Sequence, residues 1–293
     1  MRRSVFAVAE AVLAPAKINL VLEVLGRRSD GYHEIDTVLQ TLALADRVSI
    51  SEVATSSDAG VVVSGPRSDG VPADRSNLAW KAAVLLAERL RRDSSRLRVF
   101  IEKHIPPAGG LGGGSSDAAA VLRLLARAWP EATEDDLLDV ATRVGSDEAF
   151  FLAGGTARAQ GRGERVTKLA PLAHHGVVLF IPSATLERKT AQLFERLGRL
   201  PFDHSYRTSR FVAGPRGEFS ASDLYNSFER VAFDVFPGLG DLRRSIESRI
   251  GGEVRLSGAG PTMFWIGPAS ATERVAALAA GVDCAVVATR TAD

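Results

Sequence analysis

Residues 105–129 read I-P-P-A-G-G-L-G-G-G-S-S-D-A-A-A-V-L-R-L-L-A-R-A-W. Five of the six positions 109–114 are glycine, and Ser115, Ser116 and Asp117 follow. Glycine lets backbone N–H groups turn toward a ligand without interference from a Cβ. Ala118, Val121, Leu122 and Leu125 then recur at the spacing of one helix face. A glycine loop that runs into a helix start combines unpaired N–H donors with positive partial charge, which suits a polyphosphate. Ser115 or Ser116 is the expected N-cap, and Asp117 suits a first turn. A flexible linker is the plainer reading, but Ile-Pro-Pro on one side and a strongly periodic helix on the other argue against it.

Two further clusters carry reactive side chains. Lys17 and Asn19 lie two residues apart in A-P-A-K-I-N-L-V-L, so in a strand they share one face. That face is either a polar site or the solvated side of an edge strand. Asp147 follows Gly145-Ser146 and precedes two phenylalanines. It is either a positioned base or an Asx-turn residue. Tyr32 and His33 come just after the Asp30-Gly31 turn. No second histidine follows at zinc-protease spacing, and no metal-ligand set is assigned.

The elements that must position these groups follow from pattern. A strand over 14–25 and a return through 38–44 and 48–50 form a hairpin. Two strand fragments lie within 51–75. Ser76 or Asn77 caps a helix presenting Trp80, Ala83, Val84 and Ala87. Residues 97–102 alternate as a strand, and Thr133 caps a short helix. Further on come a strand over 177–181, a helix over 189–197, a loop over 199–218 and a helical stretch from Asn226 broken at Pro237. Strands over 253–257 and 263–266, a helix over 271–280 and a strand over 283–288 close the chain.

The chain has 293 residues, 45% of them hydrophobic, which suits two domains. The boundary falls within 155–175, giving domains of 1–165 and 166–293. A net charge of +1 implies no bulk attraction to nucleic acid. The one cysteine, Cys284, excludes a disulfide scaffold and reads as a buried small hydrophobe. Arg2, Arg3 and the apolar run to Ala16 faintly mimic a signal peptide, but Glu10 interrupts it. No segment approaches the ~18 apolar residues of a membrane span. A cytoplasmic location is expected, and the sequence does not give an oligomeric state.

The loop ends in neither a Walker lysine nor Rossmann spacing. Instead P-P-A-G-G-L-G-G-G-S-S-D-A-A-A resembles the second motif of the GHMP kinases, A-P-A-K-I-N-L the first and L-S-G-A-G-P-T-M-F the third. Together they span nearly the whole chain in the right order. Within that superfamily, R-S-D-G-Y-H-E-I-D-T, G-S-D, F-F-L-A-G-G-T-A-R-A-Q-G-R-G-E and N-S-F-E resemble the 4-diphosphocytidyl-2-C-methyl-D-erythritol kinases of non-mevalonate isoprenoid biosynthesis. D-G-Y-H is the discriminating stretch.

The resemblance implies an α+β fold of two domains, an N-terminal one like ribosomal S5 domain 2 and a ferredoxin-like C-terminal one, with the active site in the cleft between them. It implies Lys17 and Asp147 as the catalytic pair. ATP, with Mg²⁺, would be held by Pro106, Pro107, Ala108, Gly109, Gly110, Leu111, Gly112, Gly113, Gly114, Ser115 and Ser116, and also by Asn77 and Lys103. Asn19, Tyr32, His33 and Phe194 would hold the cytidine diphosphate end of a small-molecule substrate. A homoserine or mevalonate-type kinase is the first alternative, and D-G-Y-H argues against it because those substrates have no nucleobase. An RNA-binding module is the remote one. Two departures stand out: Glu148-Ala149 replaces the family's usual Val-Pro, and residues 183–190 are atypical.

Overall fold

The computed structural model describes residues 11–172, 174–183, 186, 188–214 and 219–293. The signal-like stretch up to residue 10 lies outside them, as do 184, 185 and 187 of the atypical segment. The strands are β1 (Val12–Arg27), β2 (His33–Glu52), β3 (Gly60–Ser64), β4 (Leu97–Glu102), β5 (Thr156–Gly161), β6 (Arg165–Lys168), β7 (His175–Ile181), β8 (Tyr225–Asn226), β9 (Arg255–Leu256), β10 (Met263–Pro268) and β11 (Ala285–Arg290). The helices are α1 (Leu78–Arg89), α2 (Gly113–Ala128), α3 (Glu134–Val144), α4 (Glu148–Ala153), α5 (Lys189–Leu197), α6 (Tyr206–Ala213), α7 (Glu229–Val235), α8 (Leu239–Ile250) and α9 (Thr272–Leu278). None of the described helices is long and apolar enough to cross a membrane.

The contacts divide the chain into two interleaved units. The first comprises Met1–Ala16, Leu44–Pro107 and Gly112–Ala153; the second comprises Lys17–Ala43, Ala108–Leu111 and Gly154–Asp293. In the first unit the end of β2 pairs antiparallel with β4, and β3 runs parallel to β4. Helices α1 to α4 pack together beside these strands. The core joins Val48, Ile50, Val99 and Ile101 to alanine-rich helix faces, Ala79, Ala82, Ala83 and Ala87 on α1 and Ala118 and Ala120 on α2. Small side chains let the two helices approach closely. This is why α1 buries its alanines and Leu86, while Trp80 and Val84, expected on the core face, stay half exposed.

In the second unit β11, β7, β10 and β9 form an antiparallel sheet. Val178, Phe180, Leu256 and Met263 share a core with residues of α5, α7, α8 and α9. The start of β2 pairs antiparallel with β5, β5 with β6, and β1 runs parallel to β8. Cys284 is half exposed at the edge of this core, and burial pushes its thiol up to about 11. The full burial expected for Cys284 is thus not reached.

Two expectations need correcting. The α2 cap is Gly112, not a serine: it is left-handed at φ 73°, and its carbonyl accepts the first helical bond from the Ser116 N–H at 2.9 Å. Glycine takes that conformation at little cost. The expected loop over 199–218 contains α6. Its docking is polar, which hydrophobic periodicity does not register: the buried Glu23 carboxylate accepts from the Thr208 N–H at 2.8 Å and the Thr208 hydroxyl at 2.7 Å.

Candidate active site

In the first unit the glycine loop becomes a helix start. Gly113 is packed so tightly that a Cβ there would lie 3.1 Å from Ile105 Cγ2 and 3.3 Å from Lys103 Nζ. Lys103 is buried beneath it. Its ammonium donates to Asp46 and, at 2.6 Å, to Asp117. Asp46 also accepts the backbone N–H groups of His104 at 2.5 Å and Ile105 at 2.8 Å. Burial pushes Asp117 up to about 7, and the Asp46 charge adds to that while Lys103 opposes it. Asn77 caps α1, accepting from the Ala79 N–H at 2.9 Å and donating to the Pro72 carbonyl at 2.7 Å. Both sequence-predicted residues therefore have structural partners close to the start of a helix.

Asp147 precedes α4, and its carbonyl accepts from the Phe151 N–H at 3.2 Å. Phe150 and Phe151 are fully buried and hold that helix in place. The neighbouring Glu148 is also fully buried, and neither of its carboxylate oxygens makes a hydrogen bond of good geometry. Burial pushes it up to about 7; the charge of Asp147 adds to the rise and the nearby Ser115 hydroxyl moderates it. A Cβ at position 145 would fall 2.6 Å from Glu148 Oε2, so a larger residue there would force the buried carboxylate to shift.

In the second unit, Lys17 Nζ donates to Asn19 Oδ1 at 2.8 Å. Asn19 Nδ2 donates to Thr37 Oγ1 at 2.9 Å, and Thr37 donates to the Val21 carbonyl at 2.6 Å. This relay fixes the orientation of the amide: Lys17 can only donate, so the amide oxygen faces it, and Thr37 gives its proton to Val21 and is left to accept from the amide nitrogen. Lys17 N–H also donates to the Leu111 carbonyl at 2.9 Å, tying the first motif to the glycine loop. The third motif is joined there too. Thr262 N–H donates to the Gly109 carbonyl at 3.2 Å and Ser257 Oγ to the Gly110 carbonyl at 3.0 Å. Gly110 has φ 85°, and a Cβ on it would collide with the Ser257 carbonyl. A Cβ on Gly258 would lie 3.1 Å from Lys17 Nζ. Parts of the three motifs, distant in sequence, are thus hydrogen-bonded neighbours within the second unit: Lys17, residues 109–111 and residues 257–262.

The same unit holds an aromatic cluster. His33 stacks on Phe194 with ring centroids 4.1 Å apart and planes 9° apart, and Phe194 meets Phe228 edge-on. Partial burial and the Arg27 charge lower the His33 pKa, favouring the neutral ring. Tyr32 is half exposed, with the Arg162 guanidinium 4.9 Å from its ring centre.

Two polar residues beyond the predicted set also act here. Asn226 Nδ2 donates to the Leu256 and Gly258 carbonyls, each at 2.8 Å, bracing the third motif. Lys189 donates to the Ala108 and Gly260 carbonyls. Asn226 had a signal in N-S-F-E. Lys189 had none, because its partners are peptide groups far away in sequence.

Comparison with known proteins bears on this arrangement. The model of the GHMP kinases N terminal domain matches residues 77–155. A relative from Dehalococcoides mccartyi, named 4-diphosphocytidyl-2-C-methyl-D-erythritol kinase, is 40% identical over 256 residues, covering 86% of this chain and 87% of its own. The chain belongs to this kinase family. A crystal structure of 4-(cytidine 5'-diphospho)-2C-methyl-D-erythritol kinase superposes with a TM-score of 0.78 at 34% identity, over 97% of this chain and 100% of the other. The crystal structure of L. major mevalonate kinase in complex with R-mevalonate has a TM-score of 0.72 at 16% identity, covering 99% and 98%. At that identity the likeness extends to the fold alone. The family assignment makes the protein a kinase that acts on a small molecule, with an α+β GHMP kinase fold, and it implies ATP as phosphoryl donor.

Proposed function

We propose that the protein transfers the γ-phosphoryl group of ATP to the 2-hydroxyl of 4-diphosphocytidyl-2-C-methyl-D-erythritol, giving the 2-phosphate and ADP, as a step of isoprenoid precursor synthesis. The observation that carries the reading is the 40% identity over 86% of the chain with a kinase of that name. The site geometry supports it. Residues 106–116 take the phosphates with backbone N–H groups and the α2 start. Asp147 accepts the proton of the attacking hydroxyl, whose oxygen bonds to the γ-phosphorus as the bond to the β-phosphate oxygen breaks and ADP leaves. Lys17 stabilises the developing charge, with Asn19 holding its ammonium in place. Asn77 and Lys103 serve the nucleotide by positioning the helix starts next to them.

Mg²⁺ accompanies ATP in this reading. Among the described residues no three His, Cys, Asp or Glu side chains gather as a metal site. The Ser115 hydroxyl is the protein oxygen at the loop that would hold the ion, with phosphate oxygens and water as its other ligands. The ion supplies charge neutralisation on the phosphates.

The cytidine end goes to the aromatic cluster. His33 and Phe194 already form one van der Waals layer, so cytosine meets the His33 edge and the Tyr32 face rather than the space between the two rings. Stacking tolerates any base, so discrimination rests on hydrogen bonds at His33. The division into domains of 1–165 and 166–293 and a cytoplasmic location belong to the same reading. A coupled ADP-release assay tests it: turnover is expected with the cytidylyl substrate and not with homoserine or mevalonate. The opposite selectivity would reject the proposal.

A further inference from the structure

Lys189 opens α5, and its side chain reaches back to two loops at once. Its ammonium donates to the carbonyl of Ala108 in the glycine loop and to that of Gly260 in the third motif. Both carbonyls belong to constrained backbone. Ala108 is a non-glycine residue at φ 54°, and Gly260 is at φ 65°. An L-residue stays in the left-handed region only where its surroundings hold it there. In a planar trans peptide the C=O and the following N–H point to opposite sides. Turning the Ala108 carbonyl toward Lys189 therefore turns the Gly109 N–H the other way.

We propose that Lys189 is a positioning residue of the polyphosphate site, a cationic clasp that joins residues 108–111 to residues 257–262 and sets the direction of the loop's N–H groups. The proposal rests on the reading of that loop as the ATP site. Burial and, among the described residues, the charge of Lys17 push Lys189 down to about 8. An anion arriving nearby opposes that depression, so the charged clasp and a bound polyphosphate stabilise each other. The sign follows: below pH 8 the clasp is charged and nucleotide binding is strong, and binding weakens as pH rises through 8.

The test is equilibrium binding of a fluorescent ADP analogue from pH 7 to 9.5 at fixed ionic strength and magnesium. The wild-type protein should lose affinity across pH 8. Lys189→Met should bind about tenfold more weakly at pH 7, the loss expected for a hydrogen bond to a charged donor, and show little further change with pH. Lys189→Arg should bind like wild type at pH 7 and keep that affinity to pH 9.5, because guanidinium stays protonated. A Met variant with wild-type affinity at pH 7, or an Arg variant that keeps the alkaline loss, overturns the clasp. Gly110→Ala separates the two levels: if it too binds the analogue normally, the ATP-loop reading fails, whereas its impairment beside a normal Lys189→Met rejects the clasp alone.

Discussion

Lys103 in the first unit and Lys17 in the second are both almost fully buried, at 2% and 4% exposure. The contrast in kind of partner is between Lys103 and the Lys189 that lies in the second unit with Lys17. Lys103 lies between two carboxylates, Asp46 and Asp117, which themselves fasten the chain that enters α2. Its charge is neutralised inside the fold. Lys17 donates to the neutral amide of Asn19, and nearby Lys189 donates to two peptide carbonyls. Two peptide dipoles orient the Lys189 ammonium without cancelling its charge, whereas a pair of carboxylates would cancel it. Burial of a lysine therefore says little about its role; the charge of its partners says more.

The largest expected break in this comparison lies at the chemistry. Asp147→Ala should lower kcat by about 10³-fold or more, within the upper range for general-base loss, while ADP still binds. Near-normal turnover in an ADP-release assay would remove Asp147 from the mechanism. Lys103→Met attacks the structural side. It leaves two buried carboxylates without their cation and should cost about 3–5 kcal/mol of stability, read by denaturant unfolding at pH 8. The loss should shrink toward pH 5, where Asp117, pushed up to about 7, takes a proton. A variant that unfolds like wild type but binds no nucleotide would make Lys103 a ligand contact instead.

Smaller effects follow. His33→Ala should raise KM for the cytidylyl substrate about tenfold, the worth of roughly one hydrogen bond plus a stacking contact, and leave KM for ATP unchanged. Equal changes in both constants would contradict the assignment of His33 to cytidine. The smallest effect concerns Glu148, whose folded pKa is raised to about 7 from 4.5. The protonated acid suits the fold, so its stabilising share is complete below pH 4.5 and is lost as pH rises through 7. Glu148→Gln stays neutral and should gain on the order of 1–2 kcal/mol relative to wild type at pH 8, with little difference at pH 4.5. Melting temperatures at the two pH values check this, and an equal shift at both would show that the charge is not the cause.

Much of the site could be read along the chain because its determinants are local. The glycine run, the A-K-I-N face and G-S-D each announce themselves by residue type and spacing. The helix over 189–197 and the strand over 97–102 fall where periodicity puts them. Other features depend on partners far away. The α2 cap is Gly112 because a left-handed residue leads the chain into the helix. The helix α6 forms where apolar pattern is weak because Glu23, 185 residues before Thr208, receives its first turn. The alanine face of α1 is chosen by its closeness to α2.

What the sequence by itself determined is residue chemistry: a glycine loop running into a helix, a lysine, an aspartate and an aromatic-histidine pair, and through them the family. What only the tertiary structure decided is how each charge is answered. A side chain's type sets which charge it can carry, but the field it exerts depends on its neighbours, and these come from remote parts of the chain. The run from Gly109 to Gly114 stands out in the sequence by composition alone; the Ser257 hydroxyl, the Thr262 N–H and the Lys189 ammonium decide how part of that loop is held.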